Sequence, residues 1–187
     1  MTAAFSNTVL LTPRLRLRSP ALSDAPAIQQ LAGDPAVANN TLNIPHPYVD
    51  GLAEEWIRDQ ELALATGSGL ALVLTPQRDD QLIGVIGLTL QPRHSRGELG
   101  YWIGRAFWGK GYATEAARAM VAHGFNSLGL HRVHACHFCR NPASGRVLQK
   151  AGLRHEGRQL GHVCKAGQYE DIELYGITRE LWEPGVS

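Results

Sequence analysis

Two nearly continuous apolar runs near the middle of the chain, LALVLTP (70–76) and QLIGVIGLTLQP (81–92), constrain its fold more than any other feature. They are rich in Val, Ile and Leu, and only the polar QRDD separates them. Short apolar runs bounded by turn residues read as strands, and the brief polar break makes these two a buried hairpin. RGELGYWIG (96–104) follows at once as a third consecutive strand.

Other elements gather around this hairpin. In LLTPRLRLRSP, Leu15 and Leu17 alternate with Arg14, Arg16 and Arg18, a first strand with one wet face. SDAPAIQQLAGDP begins with a Ser23/Asp24 cap signal and reads as a short helix that stops at Gly33 and Pro35. A second helix is expected from Val49 to about Ala65, after the irregular NNTLNIPHPY. Ala113, Ala116, Ala117, Met120, Val121, Gly124 and Leu128 share one helical stripe. HRVHACHFCR returns as a strand, NPASGRVLQKAG is a helix that stops at Gly152, and two more strands surround GQYED. The expected architecture is one mixed α/β domain over residues 1–187, with its core at about 9–182.

With 187 residues, 44% of them hydrophobic, the chain is long enough to bury a sizeable core. A net charge of +1 gives no field to draw it to nucleic acid or an acidic membrane. No apolar run is long enough to span a bilayer, and MTAAFSNTVL lacks the pattern of a leader. Three cysteines are too few for a disulfide scaffold, so a reducing cytoplasmic home is expected. Within CHFC, Cys136 and Cys139 point to opposite faces of a strand, which suits neither a disulfide nor a shared metal. His131, His134 and His137 read as satisfied polar residues of that strand.

The functional signal lies in FWGKGYATEAARAM (107–120), where Gly109 and Gly111 sit just before a helix. A helix start presents unpartnered N–H groups and a partly positive dipole end, and glycine on the approach lets an anion reach them. A tight strand-to-helix turn without ligand is the plainer alternative. A dinucleotide fingerprint fails because Thr114 holds the place of its third glycine. The phosphate-loop pattern finds Gly104, Gly109 and Lys110 but fails at Gly111, where a hydroxyl should hold magnesium.

GELGYWIGRAFWGKGYATEA (97–116) closely resembles the acyl-coenzyme A loop of GNAT-superfamily N-acetyltransferases, in particular the RimJ/RimL-like ribosomal-protein N-terminal acetyltransferase branch. LTPRLRLR, NPASGRVLQKAGLRHEG and YEDIELYGITREL extend the resemblance over nearly the whole chain. In the family's Gln/Arg-x-x-Gly-x-Gly/Ala loop, Trp108 stands at the first place here, Gly111 at the glycine and Ala113 at the small residue. The resemblance implies a central, mostly antiparallel sheet of about seven strands, splayed in the middle and flanked by about four helices. It implies acetyl-CoA as cosubstrate, an amine acceptor, no metal, and a monomer or homodimer. Gly109, Gly111, Ala113 and Thr114 would turn their amides to the coenzyme's diphosphate, Lys110 would add a screened positive charge or stay solvated, and Trp108 and Tyr112 would complete the cofactor-binding run. Backbone groups of Trp102 and Ile103 would pair with the pantetheine arm. Asn141 would contact that arm or cap the helix before Pro142.

For proton movement, Ser144 matches a serine of this branch placed near the coenzyme sulfur, while Leu148 holds the place where many relatives carry a tyrosine acid. The branch's glutamate ahead of Y-x-D falls on Val163, so that residue does not carry over. Glu98 and His162 remain as candidate bases, directly or through water. Tyr169 and Asp171 match Y-x-D on the acceptor side, and Trp56 with the NIPHPY loop would line the acceptor mouth. The implied activity is direct acetyl transfer to a primary amine, either a protein N-terminus or a small molecule. A non-catalytic acyl-CoA sensor is the alternative.

Overall fold

In a computed structural model of the chain, residues 8–182 are described; the stretch MTAAFSN and the last five residues lie outside them. The strands are β1 (Val9–Leu11), β2 (Leu15–Arg18), β3 (Gly69–Pro76), β4 (Gly84–Gln91), β5 (Arg96–Ile103), β6 (Arg132–Phe138), β7 (Arg154–Lys165) and β8 (Gln168–Thr178). They form one sheet in the order β1-β2-β3-β4-β5-β6-β8-β7. The helices are α1 (Ala25–Ala32), α2 (Pro35–Ala38), α3 (Leu52–Thr66), α4 (Tyr112–Asn126), α5 (Pro142–Lys150) and α6 (Arg179–Trp182). None of them is long and apolar enough to cross a membrane.

The apolar hairpin is β3–β4, and its continuous hydrophobicity is explained by burial on both faces. On one face, Leu70, Leu72, Leu74, Ile86 and Leu88 pack with Met120, Val121 and Phe125 of α4. On the other, Val73 and Val85 pack with Ile28 of α1 and Ile57 of α3. The stripe on α4 is buried as its spacing requires; Phe125 belongs to it, and Leu128 lies beyond the helix end. The alanines of that stripe bring the α4 backbone close to the sheet.

Eight strands stand where about seven are expected, because Thr12 divides the first segment. Its amide donates to the Leu15 carbonyl at 2.9 Å and its hydroxyl accepts from the Leu15 amide at 3.0 Å, a tight turn between β1 and β2. Leu15 and Leu17 are buried as the alternation requires. The wet arginine face is only partly found. Arg18 donates to both carboxylate oxygens of Asp24 at 2.7 and 2.8 Å, and Arg14 turns back to Glu115, while Arg16 stays exposed. Asp24 does not cap α1 with its side chain; its carboxylate is buried and takes Arg18 and the Ala21 amide.

Every pairing is antiparallel except β5 with β6. Those two run parallel only through Arg96↔Arg132, Gly97↔Val133 and Glu98↔His134. Beyond that point β5 stays with β4 as far as Ile103, and β6 stays with β8 as far as Phe138. The sheet therefore splits in the middle, with Glu98 at the apex of the split.

Candidate active site

Two clefts open from the split. The first runs between β5, α4 and α5, has a volume of about 360 Å³, and is lined by Ile103, Trp108, Gly111, Ala113, Asn141 and Val147 among others. The second is a groove of about 980 Å³ under α3 and residues 40–45, with Glu98, Gly100 and Phe138 on its floor. Asn40, Thr41, Tyr101, Trp102 and Ser144 line both, so the clefts meet there. Arg140 secures the roof over this junction through the Asn39 carbonyl at 2.7 Å and Asn40 Oδ1 at 3.3 Å. Lys165 ties the same loop down through the carbonyls of Leu42 and Ile44.

The glycine loop forms the mouth of the smaller cleft. Gly109 and Gly111 have φ of +74° and +80°, the left-handed region in which a side chain is strained. A Cβ on Gly109 would meet nothing within 4 Å, and on Gly111 only the Arg14 guanidinium at 3.4 Å. Gly111 is also the residue before α4, and no side chain among the described residues caps that helix. The amides of Tyr112, Ala113 and Thr114 thus lack acceptors within the helix and from any cap. An uncovered cradle of amides with a positive dipole end suits a phosphate-bearing ligand. Arg14 reinforces the loop from below: Nε donates to Glu115 Oε2 at 2.6 Å, Nη1 donates to the Lys110 carbonyl at 2.9 Å, and the guanidinium lies 4.8 Å from the Tyr112 ring centre. Burial alone would raise the Glu115 carboxyl, but bonds from Thr12 and Arg14 hold it below its usual range. The Lys110 ammonium stacks over Phe107 at 5.4 Å and does not line the cleft.

Hydrogen bonding across β4–β5 decides which backbone groups face the split. The Gly104 amide donates to the Ile83 carbonyl at 2.9 Å, so the bonded pairs continue at Val85–Trp102. Trp102's amide and carbonyl therefore turn to β4, and those of Tyr101 and Ile103 face the gap. The Ile103 carbonyl already accepts from the Trp108 indole at 2.6 Å. Trp108 thereby fastens the loop to the strand end.

Asn141 caps α5, its Oδ1 accepting from the Ser144 amide at 3.3 Å, and Pro142 takes the first helical position. This brings Ser144 to the junction, where its Oγ is 2.7 Å from the Tyr101 phenol. The phenol is also 3.2 Å from the Ser144 carbonyl. Burial pushes the Tyr101 hydroxyl up to about 12, against the opposing bond to Ser144. Leu148, one turn further on, is wholly buried in the core.

The fold is shared with solved structures of known proteins. Residues 14–154 match the acetyltransferase (GNAT) domain family. The N-acetyltransferase p20 of Bacillus licheniformis, itself uncharacterized, is 30% identical over 172 residues, which is 91% of this chain and 96% of that one. The chain belongs to the GNAT acetyltransferase family. The Escherichia coli [ribosomal protein uS5]-alanine N-acetyltransferase is 31% identical over 121 residues, 64% of this chain and 62% of that protein, so the alignment spans less than two thirds of either. Mycobacterium smegmatis RimJ shares the fold, with a TM-score of 0.82 at 23% identity, over 96% of this chain and 89% of that one. The E. coli relative agrees with the RimJ/RimL-like resemblance of the sequence.

The remaining candidate residues of this acetyltransferase divide by position. Glu98 lines the groove, with Trp102 on the same strand face and Trp56 opposite on α3. The Cys136 thiol lies 3.8 Å from Glu98 Oε1, and burial with the nearby carboxylate pushes it up to about 11. His162, Tyr169 and Asp171 line neither cleft. His162 is exposed beside Val163, which does line the groove, because neighbouring strand residues face opposite ways. Tyr169 is 79% exposed. Asp171 fastens the hairpin, accepting from the Gly161 amide at 2.7 Å and pairing with Arg158 at 3.2 Å.

Sequence reasoning misses Tyr101, Arg14 and His137. Tyr101 could have been found by the same alternation that places Glu98, Gly100 and Trp102 together, since it faces the α5 side. His137 is only partly satisfied. Its Nδ1–H donates to the Phe138 carbonyl at 2.8 Å, but Nε2 is buried against Gly145 with no hydrogen-bond partner among the described residues. His134 Nε2 is likewise buried without one, and burial lowers that imidazole.

Proposed function

We propose that this acetyltransferase moves an acetyl group from acetyl-CoA to a primary amine in one step, and that the acceptor is a protein N-terminal α-amino group. The observation that carries this reading is the meeting of the two clefts at Ser144 and Tyr101, with bare helix amides at one end and an acidic groove at the other.

The amides of Gly109 to Thr114 would hold the diphosphate, and the gap-facing backbone of Tyr101 with Asn141 would hold the arm. Acetyl-CoA supplies an activated acyl group on a thiol leaving group. Glu55, Asp59 and Glu98 line the groove, with no Lys or Arg among its lining residues, which favours a cationic acceptor. Glu98, at the apex of the split, takes the amine's surplus proton, directly or through water. An α-amino group needs little help, since its free pKa is about 7.7–8.0 against about 10.4 for lysine. The Cys136 thiol keeps its proton at neutral pH, which favours direct transfer over an acyl-cysteine.

A groove of about 980 Å³ is roomy enough for several residues of extended chain. The E. coli relative acts on an alanine of ribosomal protein uS5, and the RimJ structure is of a complex with CoA-disulfide. Both are consistent with the proposed ligands. A mass-shift screen should show acetylated peptide N-termini at rates well above those of small amines. Turnover confined to small amines would refute the acceptor assignment. Tight coenzyme binding with no product from any amine would refute transfer altogether and favour the sensor reading.

A further inference from the structure

We propose that Tyr101 and Ser144 form a neutral hydrogen-bond relay that stabilises the departing thiolate, with Tyr101 as the positioning residue and Ser144 as the donor at the junction. This rests on the acetyl-transfer reading above and replaces the expectation that Ser144 is an acid.

Geometry ties the two hydroxyls together, and either oxygen of the shorter contact can be its donor. Among the described residues, both acceptors around the Tyr101 hydroxyl belong to Ser144: its Oγ at 2.7 Å and its carbonyl at 3.2 Å. The phenol hydrogen is therefore committed to Ser144. When it donates to Oγ, the shorter contact, the serine keeps its own hydrogen free for the junction where both clefts open. Without the phenol, that hydroxyl is free to turn back to a carbonyl one turn earlier, as serines within helices do. Tyr101 itself is held by its place in β5, between Gly100 and Trp102, and packs against the main core.

Acidity decides what the relay does. A phenol raised to about 12 holds its proton more tightly than an ordinary thiol of about 8.5, by roughly three orders of magnitude. An aliphatic hydroxyl is a weaker acid still. Neither side chain surrenders its proton to a thiolate; both share a hydrogen with it. As the N–C bond forms and the C–S bond breaks, sulfur keeps the electron pair. The nitrogen's surplus proton leaves by Glu98 or water, and the thiol is completed from solvent. Leu148 provides no hydroxyl where many relatives carry a tyrosine, so donation to sulfur falls to this pair.

The test titrates the thiol of coenzyme A bound to the full chain, following thiolate absorbance in the ultraviolet, for wild type and Tyr101→Phe. The bound thiol is expected to titrate about one unit below free coenzyme A in wild type and to return to the free value in the variant. Affinity for desulfo-coenzyme A, which has no sulfur, should be unchanged by the substitution. Affinity for the thiolate form, at alkaline pH, should fall about tenfold. Turnover should fall by a similar factor without a new alkaline limb in its pH profile. Equal thiol titrations in the two proteins would overturn the relay while leaving acetyl transfer standing. Equal losses for coenzyme A and its desulfo analogue would reduce Tyr101 to a packing role. Failure of wild type to bind either ligand would instead sink the acetyl-transfer reading and the relay with it.

Discussion

Gly145→Ala sets two effects of similar size against each other. In an exposed helix the change would stabilise by about 1 kcal/mol, because alanine is the better helix former. Here a Cβ would lie 2.6 Å from His137 Nε2 and 3.1 Å from the Tyr175 hydroxyl, the first roughly 0.8 Å short of ordinary contact. The imidazole has little room to yield. It is only 9% exposed, tied through Nδ1 to the Phe138 carbonyl, and packed against the Tyr175 ring at 5.4 Å between centres. Overpacking of this kind costs about 1–3 kcal/mol. The clash should win by about 1 kcal/mol, lowering Tm by roughly 2–4 °C for a chain of this size. The movable partner is α5, and Ser144 precedes the substituted residue. A shift of several tenths of an ångström would stretch its 2.7 Å bond to Tyr101 and cut turnover tenfold or more. Thermal unfolding and acetyl-transfer rates would be measured in a double-mutant cycle with His137→Ala. In the background without the imidazole, Gly145→Ala should become neutral or stabilising. A Gly145→Ala protein that melts higher than wild type and turns over normally would refute the close-packing argument.

The other predictions concern the loop and a buried ion pair. Gly109→Asn and Gly109→Asp place similar side chains at a left-handed position with no neighbour within 4 Å, so their difference isolates charge. Coenzyme A should bind the Asp variant about tenfold more weakly than the Asn variant, with a gap that narrows in salt; equal affinities would show that the diphosphate sits elsewhere. Asp24→Asn should cost about 2–3 kcal/mol in denaturant unfolding, since it strips two charge-assisted bonds from a largely buried Arg18. Burial would raise the Asp24 carboxyl, but the bonds from Arg18 and the Ala21 amide outweigh it and hold it below its usual range. Its stabilisation is thus complete above the unfolded value of about 3.9 and fades as pH falls through the lower folded value. The Asn variant should lose that part of the acid dependence, and an unchanged acid profile would count against the pair.

Patterns within a few residues of sequence are legible without the fold. The β3–β4 hairpin, the small-residue stripe of α4 and the Asn141–Pro142 start of α5 all follow from local periodicity and capping, which depend on neighbours in the chain. The glycine loop was legible for the same reason: positive φ is a property of single residues. The residues read from the Y-x-D resemblance fared differently. Those matches carry no information about which face of the β7–β8 hairpin a side chain takes, and His162 and Tyr169 end outside the clefts.

By itself, then, the sequence determined most of the elements, the family resemblance and the loop that opens α4, because each is encoded by residues adjacent along the chain; the β1–β2 division and the short helices α2 and α6 were not read from it. Tertiary structure alone decided the chemistry of the junction. Ser144 meets a phenol 43 positions away, and Arg14 braces a helix start 101 positions away. Contacts of that kind exist only after the sheet has paired and split, for only then do side chains with no local relation share one small volume.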